Sequence, residues 1–148
     1  MSSIETAHGS TASGGRVVDL GIMQMRFLAA GEATGGGFTL AECTGSAGRW
    51  SVPHRHEAME ESFYVLDGEF SFTLDGKEVT HGPGGYVLVP RGTSHVFGAG
   101  SGGGRCLVLM VPGGLEGMFY ELGELGGDSL RDPAVRAAVS ARYDSHPT

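Results

Sequence analysis

The chain reads as an all-β protein, a sandwich or barrel of about ten short strands with helical elements at its C-terminus. Three observations predict this. Short apolar or alternating segments recur along the chain with glycine turn signals between them. Two of these segments end in Asp-Gly, at Asp67-Gly68 and Asp75-Gly76, and both turn positions of a tight hairpin favour positive φ. The apolar period changes from two to a helical spacing only after Leu115.

In chain order, residues 1–15 are rich in Ser, Thr, Gly and Ala, with little to anchor them. A mobile tail is expected there, with His8 idle in it. Residues 16–148 are expected to form one domain, a length that can bury one core. VVDL, IMQMRFL and FTLAEC read as its first strands, with Thr39, Ala41 and Cys43 on one face and Phe38, Leu40 and Glu42 on the other. Pro53 favours an extended entry to His54. Ser62–Leu66 and Glu69–Leu74 follow, each closed by its Asp-Gly, then Lys77–Thr80, Tyr86–Val89, His95–Gly98 and Cys106–Val111. Residues 100–104, GSGGG, read as a flexible connection inside this core. Leu115, Met118, Phe119 and Leu122 then follow the i, i+3, i+4, i+7 pattern of an amphipathic helix. Asp132-Pro133 reads as an N-cap with proline in the first turn, opening a helix with Val135, Ala138, Val139 and Arg142 down one side.

The net charge of −7 and the lack of any Lys/Arg run argue against nucleic acid or an acidic membrane as partner, and favour a small molecule. No apolar run approaches the roughly 20 residues of a membrane span. Cys43 and Cys106 are too few for a disulfide framework, and no apolar signal region follows the polar start MSSIETAHGS. A reduced, cytoplasmic protein is expected.

Chemistry concentrates in HRHEAMEESFYVLDG, residues 54–68. His54 and His56 stand two apart, so on a strand both rings leave the same face. Both can lean onto one ion, with a nearby carboxylate as a harder third ligand. His-x-His alone is a weak signal, since chance supplies roughly a quarter of an occurrence in a chain of this composition. Its surroundings are more specific. Gly48, His54, His56, Glu61 and Gly68 resemble the first motif of the cupin superfamily. Gly84, Pro90, Gly92 and His95, in GGYVLVPRGTSHVF, resemble the second. The asparagine that often ends the second motif is Ala99 here, at a position that is not a ligand in the family.

The resemblance implies a double-stranded β-helix, the small cupin jelly-roll barrel, to which the short C-terminal helices read above are added. It also implies one divalent transition metal ion per chain, held by His54, His56, Glu61 and His95. Glu61 is taken over its neighbour Glu60 because it shares a strand face with Phe63 and Val65, where a buried carboxylate needs a cation to offset its desolvation. Such a donor set suits Fe, Mn, Ni, Co or Zn. His81, His146 and Arg55 are expected in solvent. Phe63, Tyr86 and Phe97 are candidate substrate-pocket residues, and Met118–Tyr120 a candidate lid or dimer contact.

The segments ESFYVLDGEFSFTLDG, VPRGTSHVF and PGGLEGMFYELGE are similar to quercetinase-like cupins. That likeness implies an O2-dependent dioxygenase acting on an enolisable, flavonol- or polyketide-like molecule, with Glu61 or a metal-bound hydroxide taking the substrate proton. Small cupins that act as polyketide cyclases look similar, and for them the metal is a Lewis acid in a non-redox cyclisation or isomerisation. A non-catalytic small-molecule-binding cupin is the third reading. A homodimer is expected.

Overall fold

The computed structural model describes residues 8, 9 and 14–148, so most of the tail expected at 1–15 lies outside them. His8, expected idle, has its ring Nε2 2.7 Å from the Leu28 carbonyl. Ten antiparallel strands are described: β1 (Arg16–Asp19), β2 (Met23–Ala29), β3 (Thr39–Gly45), β4 (Gly48–Arg49), β5 (His54–Arg55), β6 (Glu60–Leu74), β7 (Lys77–His81), β8 (Tyr86–Val89), β9 (His95–Val111) and β10 (His146–Pro147). Three helices follow β9: α1 (Glu116–Leu125), α2 (Gly127–Arg131) and α3 (Pro133–Ser140). Among the described residues no helix is long and apolar enough to cross a membrane.

The two long strands organise the rest. The second half of β9 pairs with β3 on one edge and β6 on the other, so that Cys106 lies opposite both Cys43 and Val65. Its first half pairs with the second half of β6, from Leu74↔His95 to Phe70↔Ala99, and also with β4 and β5. Alternate residues turn inward as expected: Thr39, Ala41 and Cys43 on β3, and Phe63, Val65, Phe70 and Phe72 on β6, are buried. Trp50 meets Phe70 edge-on with ring centroids 5.0 Å apart, and Phe72 stacks on Phe97. At roughly 25 cal/mol per Å2 of apolar area removed from water, burying these rings favours the closed sheet.

Asp75-Gly76 is a hairpin turn, with Asp75 at φ 48°, Gly76 at φ 82° and Leu74 paired with Lys77. Asp67-Gly68 is not, and this corrects the hairpin expected there. β6 runs straight through it, and its register with β9 shifts on either side. Asp-Gly here bends a strand that must change direction as the sheet rolls over. GSGGG is likewise part of β9 and not a loose connection. Glycines meet at this corner because backbones approach closely: a Cβ on Gly68 would lie 2.4 Å from the Gly103 carbonyl oxygen, and one on Gly104 would lie 2.6 Å from the Phe70 ring.

The helices differ from expectation in detail. α1 buries Met118 and Leu122 as its period predicts, but extends to Leu125. α2 carries no sequence signal of its own. Asp132 caps α3 by accepting from the Ala134 N–H at 2.9 Å. Of the stripe expected on α3, only Val139 is buried, and Arg142 lies outside, ion-paired with Glu121. His146, expected in solvent, is half-buried in β10, which pairs with β5 so that His146 lies opposite Arg55 and Pro147 opposite His54.

Candidate metal centre

Three strands bring the four candidate ligands together. His54 opens β5, His95 opens β9, and the two are register partners. His56 follows β5, and Glu61 stands on the inward face of β6 beside Phe63. One ligand atom from each of His54, His56, Glu61 and His95 lies within 4.8 Å of the other three. Glu60 is outside this cluster and only half-buried. Arg55 points away and pairs with Glu57.

The rings are aimed from behind. Nδ1 of His54 lies 2.7 Å from the Val52 carbonyl, Nδ1 of His56 2.6 Å from the Asp144 carbonyl, and Nδ1 of His95 3.0 Å from the Thr93 carbonyl. Each Nδ1–H donates to its carbonyl, and that fixes the tautomer in which Nε2 presents its lone pair to the cavity. His56 Nε2 and His95 Nε2 are buried there without a hydrogen-bond partner. Their approaches to the Glu61 carboxylate, 3.4 Å and 3.5 Å, are ion-pair distances. Buried nitrogens left unpaired cost free energy unless something accepts their electron pairs. Three imidazole nitrogens converging with one carboxylate are what a divalent transition ion takes up, so the residues present fit the group.

The charge states agree. Burial, assisted by the neighbouring His95, pushes His54 down to about 4, so it is neutral at physiological pH and its lone pair is free. Burial also opposes charge on Glu61, yet the imidazoles of His56 and His95 outweigh it and hold the carboxyl well below the usual carboxylate range. For His56, burial is again opposed by the Glu61 carboxylate and the Asp144 carbonyl, and the net movement is upward. A shift in that direction strengthens the competition between a proton and an arriving cation for the ring.

Asp144 was invisible as a site residue. Besides holding His56 through its carbonyl, its carboxylate accepts the Glu57 and Ala58 N–H groups at 2.8 Å and 2.9 Å and meets His146 at 3.0 Å. With β10 paired to β5, the end of the chain straps the ligand loop in place. A lone aspartate 88 residues from its partner has no spacing signature to find it by.

The cluster opens into a cavity of about 390 Å3 walled mostly by apolar side chains, within the usual range of small-molecule sites. Phe63, Phe97, Met118 and Phe119 line it. Tyr86 does not; it is 57 % exposed on the outer face of β8. Tyr120 packs edge-on against Phe27 beneath the Arg16 guanidinium. Cys43 also reaches the cavity wall, and both cysteines are free and buried.

A rolled antiparallel sheet with three imidazoles and a carboxylate converging inside it defines a cupin. The chain belongs to the cupin superfamily: residues 43–112 match the family model described as Cupin domain. Its relatives include quercetin 2,3-dioxygenase of Bacillus subtilis (strain 168), 34% identical over 99 residues, which are 67% of this chain and 29% of that protein. Quercetin 2,3-dioxygenase of Aspergillus japonicus is 28% identical over 139 residues, 89% of this chain and 40% of that one. The chain thus spans well under half the length of the curated relatives it matches. Among solved structures, KdgF from Halomonas sp. superposes with a TM-score of 0.65 at 21% identity, over 72% of this chain and 94% of its own. A nucleoside dehydratase superposes with a TM-score of 0.63 at 13% identity, over 76% and 88%. These two likenesses are of fold.

Proposed function

We propose that this chain is a metal-dependent dioxygenase of a small enolisable molecule, flavonol- or polyketide-like, with His54, His56, Glu61 and His95 as the metal ligands. The observation that carries it is the pair of buried, unpartnered Nε2 atoms beside the Glu61 carboxylate, in a cavity of ligand size. The two quercetin 2,3-dioxygenase relatives supply the reaction class. Bound there, a divalent transition ion would supply Lewis acidity toward an enolate oxygen and, if redox active, a route for electrons toward O2.

The protein's own part follows from its geometry. Phe63, Phe97 and Met118 place an apolar ring system against the site and keep bulk water from it. Glu61 is ionised and is the carboxylate within the cavity, so it is the group that can take the enol proton. Held as low as it is, it is a weak base until an imidazole contact is released. The backbone carbonyls of Val52, Thr93 and Asp144 prevent the rings from turning away during turnover.

Oxygen uptake by the metal-loaded protein with quercetin and other flavonols is the test. Uptake that depends on substrate and disappears in Glu61→Ala supports the dioxygenase. No uptake with any flavonol or enediol, together with conversion of a polyketide-like substrate, sinks it in favour of a non-redox cyclase or isomerase. That second reading draws on the nucleoside dehydratase of the same fold. Tight binding with no conversion would instead mark a binding module.

A further inference from the structure

The cavity carries a second polar feature, built from other elements than the metal centre. Where α2 and α3 border it, Arg131 and Arg136 join a mostly apolar wall that includes Met23, Met25, Met110 and Met118. The charged residues lining it, among those described, are Glu61 and these two arginines. Both arginines also line a second, more open groove beside Asp19 and Leu20, so they stand at the boundary between cavity and solvent. Arg131 has a loose, exposed partner in Asp128, at 3.9 Å. Arg136 is half-buried, and its polar contact is to the Leu130 carbonyl at 3.5 Å. No described carboxylate pairs with it.

A partly desolvated guanidinium without a counter-charge is unfavourable, the more conspicuous in a chain of net charge −7. Its planar donor fork matches a carboxylate, and a carboxylate bound there would restore the balance. The polarisable methionine sulfurs and the rings of Phe63 and Phe97 that share this wall favour a flat aromatic body in the cavity.

We infer that Arg136, with Arg131 beside it, is an anion-recognition site, and that the cavity takes an aromatic acid. The ring body lies against the methionines, the carboxylate meets Arg136, and an enolic or phenolic oxygen faces the metal centre. This last placement rests on the metal reading above; the arginine site does not.

The test is fluorescence titration of the metal-loaded protein with 6-hydroxy-2-naphthoate and with 2-naphthol, which differ by the carboxylate. The wild type binds the acid about tenfold more tightly or better, Arg136→Met removes that preference while leaving 2-naphthol affinity and metal content unchanged, and Arg136→Lys keeps part of it. Equal affinities in the wild type, no binding of either probe, or a preference that survives Arg136→Met overturns the inference. So does a preference lost in His95→Ala but kept in Arg136→Met, because the carboxylate then sits on the metal. If the wild type takes up no metal yet shows the Arg136-dependent preference, the metal reading falls and this one stands.

Discussion

The rings of His56 and His95 are each held by a residue that does not line the cavity. For His56 that residue is Asp144, which holds the ring through its carbonyl and the following loop through its carboxylate. Asp144→Ala leaves two backbone N–H groups without their acceptor and loosens β10. It is expected to weaken metal affinity about 10- to 100-fold while leaving the four ligands in the chain, a change that competition with a chromogenic chelator would measure. Retained affinity would mean that the strap is dispensable. The cysteines make a different prediction. Hydrogen bonding between Cys43 and Cys106, together with burial, raises the Cys43 thiol well above its ordinary value, and Cys106 is just as buried. A raised thiol pKa keeps the Cys43 thiolate scarce until the pH is higher still, and burial shields Cys106, so at pH 8 neither cysteine should react with a disulfide reagent in the native protein, and both should on unfolding. Rapid native labelling would contradict the packing around them. At this scale the ligands were legible because each sits in a short motif of fixed spacing. Asp144, Arg131 and Arg136 were not, because their roles come from where the C-terminal segment lands on the barrel.

The elements were legible wherever a period of two or a turn pair decided them. The Asp75-Gly76 hairpin and the inward faces of β3 and β6 follow directly from side-chain alternation. Asp67-Gly68 misled because the same dipeptide serves a hairpin or a bend, and only the long-range pairing of Gly68 with Gly104 selects the bend. The glycine run was misread for a related reason: it lacks side chains because backbones crowd it, and that crowding is tertiary. Gly68→Ala therefore forces a Cβ against the Gly103 carbonyl at a position with φ of 77°. It should cost about 2–4 kcal/mol in urea unfolding, whereas Gly76→Ala, strained but spatially open, should cost nearer 1 kcal/mol. Equal costs would show that the corner can relax.

Taken whole, the molecule is a rolled sheet whose C-terminal helices wall one side of a cavity and whose last strand reinforces the ligand loop. Its outer face carries Tyr64, Tyr86 and Leu88, all more than two-fifths exposed and adjacent across β6 and β8. That patch supports the expected homodimer: sedimentation should give twice the 15.3 kDa of one chain, and Tyr86→Asp should reduce it to one. The proposed catalysis, however, depends on the four inward groups holding an ion. Elemental analysis of protein purified without added metal, beside His95→Ala prepared in the same way, tests this most directly. The wild type should carry one divalent transition ion per chain, and the variant should lose most of it while keeping its β circular dichroism spectrum. A metal-free wild type, or equal metal in a folded His95→Ala, would contradict it.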